Sequence, residues 1–300
     1  MISIAMTTFN GELFLREQLN SILNQTFSDF ELIICDDCST DNTLQIIKEY
    51  VNKDKRIKLT QNTKNLGFKK NFEQAIGFCT GDYIALCDQD DVWEANHLET
   101  LLYNIGKNYL IAGNNELVDS HLFSLYKDFF SSHLFSMENF PSNLDILKKI
   151  ILSGNCFQGA SMLLKKDILM YYLPLPEDIP YHDSWLAALA CSINKFTCVE
   201  SIITKYRQHN KQVTHTDKNN NDFTKKRIVF CKELLKHNEL FDNKTKNFIE
   251  QAEKYFKTIS SFWGRIKQLR FWNQNYCFLF PDMNKYKKTI RLLKFILFLH

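Results

Sequence analysis

Tyr83-Ile84-Ala85-Leu86-Cys87-Asp88-Gln89-Asp90-Asp91 is an apolar run that ends abruptly in carboxylates. The apolar part reads as a strand buried in a sheet, and the acidic part stands where that strand leaves it. Carboxylates so closely spaced repel one another, and without a cation some would be driven to take up protons. A divalent metal removes the conflict. Mg²⁺ or Mn²⁺ prefers hard oxygen ligands and commonly takes one or two carboxylates, with substrate phosphates completing its shell. An acidic turn after a strand also occurs as a plain solvated loop, so the surrounding framework must decide.

Outward from this stretch the chain alternates strand and helix. Ile2 to Met6 is a short apolar run, followed by Leu15, Leu19, Ile22 and Leu23 at helical spacing and a stop at Asn24-Gln25-Thr26. Phe30 to Cys35 predicts a second strand with Asp36 and Asp37 at its exit. Ser39-Thr40-Asp41-Asn42 offers caps for a helix carrying Leu44, Ile46, Ile47 and Val51. Ile57 to Leu59 predicts a third strand. Asn65-Leu66-Gly67 is a turn, and a helix follows through Phe72, Ala75 and Ile76. After the quoted stretch a helix is expected from about Glu94 to Lys107. Repeated β-α units predict an α/β fold, a mostly parallel sheet with helices on both faces. Ligands then bind outside the carboxyl ends of the strands. Thr7 to Asn10, Asp36-Asp37 and Asp88 to Asp91 all fall there.

The later chain is less regular. Residues 120 to 145 are aromatic-rich and read as an active-site loop or lid. Ser153 to Gly159 is polar and precedes the apolar run Ala160 to Leu164. Pro174, Pro176 and Pro180 stiffen a loop that delivers His182-Asp183-Ser184 to a helix through Trp185, Leu186, Leu189 and Ala190. Phe196 to Val199 and Ile202 to Tyr206 predict two short strands. From Phe223 onward the pattern is helical and basic.

A length of 300 residues allows one large domain or a domain with an appendage. A net charge of +3 is too small to argue for a nucleic-acid partner. Met1 to Ala5 carries no basic leader and no apolar run reaches the ~18 residues of a spanning helix. With nine cysteines, an odd number, reduced thiols in a cytoplasmic setting are expected. Cys35-Asp36-Asp37-Cys38 has the spacing of a redox pair. Its central acids would raise thiol pKa values, and no second pair at zinc spacing exists.

Two adjacent acids, Asp36 and Asp37, exceed what a helix cap needs, and a carboxylate there could accept from a base imide or a ribose hydroxyl. Asp183, at a helix start, reads either as a cap or as a general base that takes a hydroxyl proton. Arg207 and His209 could face a diphosphate or a metal.

The ordered set Ser3 to Asn10 with Gln25-Thr26-Phe27, Glu31 to Asp41, Asn65-Leu66-Gly67, Gly81-Asp82-Tyr83-Ile84, Asp88 to Trp93, His182 to Leu186 and Tyr206 to His209 resembles bacterial glycosyltransferase family 2. The likeness spans roughly residues 1 to 210. It implies a GT-A fold, a Rossmann-like sheet, with residues 1–210 catalytic and 211–300 a helical basic extension. It also implies an inverting transfer from a nucleoside diphosphate sugar that uses Mn²⁺ or Mg²⁺. Carried over, Thr7, Phe9, Asp37 and Lys64 would bind nucleotide. Asp88 would bind ribose or a metal-bound water, Asp90 and His209 the metal, and Asp183 would be the base. His182 and Trp185 would lie on the acceptor side, His182 replacing the family's Glu. The processive Q-x-x-R-W motif is absent, which implies single addition. The D-Q-D-D-x-W and H-D-x-W forms look similar to rhamnosyltransferases of surface polysaccharide. The acceptor would be a glycan or a lipid-linked glycan.

A helix over 286–300 would place Lys287, Arg291 and Lys294 opposite Tyr286, Ile290, Leu293 and Leu297. At ~22 Å it is too short to span a bilayer, and it would suit the inner face of the cytoplasmic membrane or a packing face on the domain. Two other classes fit parts of the sequence. Asp88 to Val92 has the letters of a haloacid dehalogenase-type phosphohydrolase motif, although that motif normally opens its domain. A non-catalytic carbohydrate-binding protein is the other.

Overall fold

The computed structural model describes residues 1–179, 181–210, 212 and 223–279. Its first half is a run of β-α units: β1 (Ile2–Thr8), α1 (Leu15–Leu23), β2 (Phe30–Asp36), α2 (Thr43–Val51), β3 (Ile57–Gln61), α3 (Phe68–Gly77) and β4 (Tyr83–Cys87). All seven residues of β1 and all seven of β2 are buried, as expected for strands covered on both faces. Alternate residues feed opposite cores. Ile4, Met6, Leu32, Ile34, Ala85 and Cys87 pack with α1, α2 and the helix after β4. Ala5, Ile33, Cys35, Ile84 and Leu86 join the core on the other face with α3. β3 is half-exposed, as an edge strand should be.

The second half comprises β5 (Val92–Trp93), α4 (His97–Ile105), β6 (Leu110–Val118), β7 (Ser124–Asp128), α5 (Phe129–Ser132), α6 (Asn143–Leu152), β8 (Met162–Lys165), α7 (Leu169–Tyr172), α8 (His182–Ser192) and β9 (Phe196–Arg207). The sheet order is β3-β2-β1-β4-β8-β6-β9-β5, with β7 paired to β6. Its first four strands are parallel. β8 then runs antiparallel between β4 and β6, and β6 pairs parallel with β9. The chain moves outward from β1 to β3 and returns to the other side of β1 with β4. That reversal opens a crevice between the ends of β1 and β4, where such sheets bind ligands.

Three expectations change in detail. The helix predicted from Glu94 begins at His97, because Val92 and Trp93 first pair with β9. The two strands predicted at 196–199 and 202–206 are one strand. Val199 pairs with Gly113 and Ile202 with Asn114, so Glu200 and Ser201 bulge out between them. The segment 120–145 holds β7, hairpinned onto β6, and α5, whose first turn is capped by Asp128 accepting from the Ser131 amide.

After residue 222 come α9 (Phe223–Leu235), α10 (Asn243–Thr258), α11 (Phe262–Lys267), α12 (Leu269–Gln274) and α13 (Tyr276–Leu279). Phe230, Leu234, Phe248, Ile249, Phe271 and Trp272 share one continuous core with α6 and α8. No helix among the described residues is long and apolar enough to cross a membrane. The helix expected over 286–300 lies outside the described residues.

Candidate active site

The exits of β1 and β4 are tied together. The Phe9 amide donates to Gln89 Oε1 at 2.8 Å and Gln89 Nε2 donates to the Phe9 carbonyl at 3.0 Å. Gly11 makes room for this, since a Cβ there would lie 2.2 Å from Gln89 Oε1. The Phe9 side chain is 45% exposed beside the bridge, while Thr7 is buried at the strand end.

Asp36 is wholly buried and accepts from the Thr8 hydroxyl (2.9 Å) and from the amide (2.9 Å) and hydroxyl (2.5 Å) of Ser39. It fixes the turn into α2. Asp37 is also buried, and its carboxylate organises the next loop. Oδ1 accepts from Asn62 Nδ2 (2.9 Å) and the Leu66 amide (2.7 Å), and Oδ2 accepts from the Gly67 amide (2.9 Å). Asn71 supports Asn62 at 3.0 Å and reaches the Cys35 carbonyl at 2.8 Å. Three of the roughly four acceptor positions of a carboxylate are filled, which leaves one on Oδ2. Lys64 stands exposed on the same loop. Cys35 lies inside β2, where burial pushes its thiol up to about 11, so the C-x-x-C has no reactive member there.

In the acidic loop, burial first, then the charges of Asp90 and Asp183, push Asp88 up to about 7. Asp183 is 95 positions away in sequence (183 − 88) yet near enough to act on it. Asp90 Oδ2 lies 2.8 Å from His209 Nε2. Asp91 is wholly buried. Its Oδ1 accepts from the Arg207 amide at 3.0 Å and its Oδ2 has no partner among the described residues. Burial, then Asp90 and Asp88, hold this carboxyl well above the usual range.

Arg207 does not face outward as a diphosphate ligand would. It is 1% exposed. Nε donates to the Asp90 carbonyl (2.7 Å), one terminal nitrogen to the Ser120 carbonyl (2.7 Å), and the other to the Glu17 carboxylate. Its guanidinium lies 4.5 Å over the Phe14 ring, against which His209 also packs at 4.8 Å. The end of β9 therefore clamps the acidic loop and presents His209 to Asp90.

The donor set can be tested for fit to a divalent ion. Neighbouring ligands on an octahedral ion with bonds of about 2.1 Å stand about 3 Å apart. Asp90 Oδ2 and His209 Nε2 share a hydrogen bond at 2.8 Å, and with that proton released the same separation would suit two neighbouring ligands. No group of three or more His, Cys, Asp or Glu forms a metal cluster among the described residues. A two-residue set leaves the other positions to phosphate oxygens and water.

Asp183 sits in the first turn of α8. Burial pushes its carboxyl up to about 7 against the pull of the Ser184 and Gly159 amides, the former at 2.5 Å. Gly159 lets its loop lie against α8, since a Cβ there would be 3.0 Å from His182 Nε2 and 3.6 Å from the Asp183 Cβ.

The two residues expected on the acceptor side, His182 and Trp185, are both buried. His182 is 7% exposed, its ring 4.3 Å from that of Phe72, and both ring nitrogens lack partners among the described residues. Burial holds it neutral, down to about 4. Trp185 is 1% exposed, edge-on to Phe230 at 6.2 Å, a core residue with no open face to offer an acceptor.

The profile of glycosyl transferase family 2 matches residues 3–169, more than half of the chain. The chain belongs to that family, and the phosphohydrolase reading falls. Among its relatives, the UDP-Glc:alpha-D-GlcNAc-diphosphoundecaprenol beta-1,3-glucosyltransferase of Escherichia coli is 35% identical over 123 residues, 40% of this chain and 48% of that one. The fold is similar to S. aureus TarS 1-349 in complex with UDP-GlcNAc, with a TM-score of 0.62, 20% identity, and 86% of this chain and 71% of that chain covered. It is also similar to the mannosyltransferase PcManGT from Pyrobaculum calidifontis, in complex with GDP-Man and Mn²⁺. There the TM-score is 0.56, identity is 14%, and coverage is 99% of this chain and 84% of that one. The architecture is GT-A, and the chain is a glycosyltransferase.

Proposed function

We propose that this glycosyltransferase moves one sugar, with inversion, from a nucleoside diphosphate hexose or deoxyhexose to a glycan or lipid-linked acceptor in surface polysaccharide synthesis. The observation that carries the reading is the convergence of Asp88, the Asp90–His209 pair and Asp183 at one edge of the sheet. Thr7, Phe9, Asp37 and Lys64 line the nucleotide side. Asp37 Oδ2 has one acceptor position left for a base N–H, and the Phe9 ring offers a face for stacking. Asp90 and His209 would hold Mn²⁺ or Mg²⁺, as the Mn²⁺ complex of PcManGT supports, and a bound ion would neutralise charge on the leaving diphosphate. Asp88 would meet ribose or a water held by such an ion.

Asp183 then takes the proton of the acceptor hydroxyl while that oxygen bonds to the anomeric carbon and the sugar–diphosphate bond breaks on the opposite side. A carboxyl raised to about 7 is a stronger base than a free one and still ionises near neutral pH. The lipid-linked substrate named for the E. coli relative supports an acceptor presented at a membrane. We read the catalytic unit as 1–210 and 211–300 as its extension.

Asp183→Asn should lose on the order of 10²–10⁴ in turnover. Its affinity for the nucleotide should hold, and the rise of wild-type kcat/KM with pH up to about 7 should vanish. Transfer at the wild-type rate by this variant means that another group is the base.

A further inference from the structure

Between α6, α10 and α12 lies an open depression of about 1100 Å³. Its floor is apolar: Phe248 and Phe271 stack at 6.2 Å and are 7% and 5% exposed. Its rim is cationic. Lys148, Lys244, Lys254, Lys267 and Arg270 line it, and no Asp or Glu does. Lys254, Lys267 and Arg270 are exposed and enter none of the ion pairs among the described residues. Lys148 pairs with Asp145 at 3.4 Å, but Lys254, Lys267 and Arg270 gather with no acid among the lining residues, so an anionic partner is favoured there. Residues 285–294 do not supply it, since they carry Lys285, Lys287, Lys288, Arg291 and Lys294.

The neighbouring helix α11 decides which anion. Trp263 is 70% exposed and Phe262 44%. Trp263 and Lys267, four apart, share a face of α11. Exposed Trp beside Lys and Arg is the composition of a surface that meets the headgroup level of a bilayer. A small soluble anion has no use for the exposed rings.

We infer that the face formed by α10, α11 and α12 docks on an anionic lipid surface through Lys254, Lys267 and Arg270, with Trp263 entering the interface. The surface is remote from the chemistry. Asn143, at the start of α6, bonds to Phe196 at the start of β9, whereas Arg207 at the far end of that strand holds the acidic loop. The inference stands whatever sugar is transferred.

The test is co-sedimentation of the full chain with phosphatidylglycerol/phosphatidylcholine vesicles and with phosphatidylcholine alone, at low and high salt. The wild type should bind only the anionic vesicles, and less as salt rises. At ~1 kcal/mol per basic residue near such a surface, Lys254→Gln/Lys267→Gln/Arg270→Gln should weaken partitioning on the order of 10²-fold. Its thermal midpoint and sugar-nucleotide hydrolysis should match wild type, which separates this result from a failure of the catalytic reading. Trp263→Ala should weaken binding and leave the salt dependence unchanged. The inference is overturned if the wild type ignores anionic vesicles, if the triple variant binds them as well as wild type, or if the chain binds a soluble polyanionic glycan and no vesicles.

Discussion

Asp88, Asp91 and Asp183 are three carboxyls held high first by burial, and for Asp88 and Asp91 also by neighbouring carboxylates. The consequence for stability has a definite sign. The ordinary value for Asp88 is 3.8 and its folded value is about 7. Between those limits the folded chain keeps a proton that the unfolded chain has released. Its contribution is therefore intact below about pH 4 and is lost as pH rises toward 7. Asp88→Asn removes that loss. By calorimetry without metal, the variant's gain in Tm over wild type should be larger at about pH 7.5 than at about pH 5, and a pH-independent gain contradicts this. Comparing the two proteins at each pH cancels His97 and His182, whose lowered values act in part of the same window. Asp90 stood out in the sequence as a carboxylate after an apolar run and Asp183 as an acid at a helix start, whereas a metal role for His209 came only from the family resemblance. Arg207 was not, because sequence cannot say that its partners are the carbonyls of Asp90 and Ser120. Trp185 misled for a geometric reason. Two residues beyond Asp183 on a helix, it points to the opposite side, into the core.

The strands were readable as apolar runs, and the reversal between β1 and β4 follows from their order. The cross-ties between loops were not readable, since they depend on which loops come together. Phe9–Gln89 is the plainest case. Gly11→Ala would push the Gln89 amide aside and break both of its bonds to Phe9. Gln89 is flexible, so the loss of stability should be only about 1–3 kcal/mol, the range for two net hydrogen bonds. The KM for nucleotide sugar should rise further than kcat falls, because the proposed nucleotide wall is displaced and Asp183 is not. Steady-state kinetics with a urea titration checks this, and an unchanged KM would mean that the bridge has no part in binding. The bulge at Glu200 and Ser201 escaped notice for a related reason. A two-residue interruption looks like a strand end until its partner strand is known.

The sheet divides two apolar cores, and the helices after residue 222 complete the one that also buries α6 and α8. Asp183, the proposed base, thus rides on a helix whose back is packed against the C-terminal helices. Trp185→Ala should cost about 3–5 kcal/mol, the usual range for a large aromatic removed from a core. Acceptor KM of the protein that remains folded should stay near wild type. Unchanged denaturation with a raised acceptor KM would return Trp185 to the acceptor site. Basic periodicity after Phe223 was visible in sequence. That it gathers around an apolar floor was not, because the cations come from α6, α10, α11 and α12.

Asp90, with His209, is proposed to hold a divalent ion on a nucleotide diphosphate. Calorimetric titration of UDP into wild type and Asp90→Ala, each with Mn²⁺ and with EDTA, tests it directly. The wild type should bind at least ten-fold tighter with Mn²⁺ than in EDTA, on the order of the ~1.4 kcal/mol that one tenfold represents. The variant should bind weakly and equally in both. Equal Mn²⁺-dependent affinity in the two proteins would contradict the assignment.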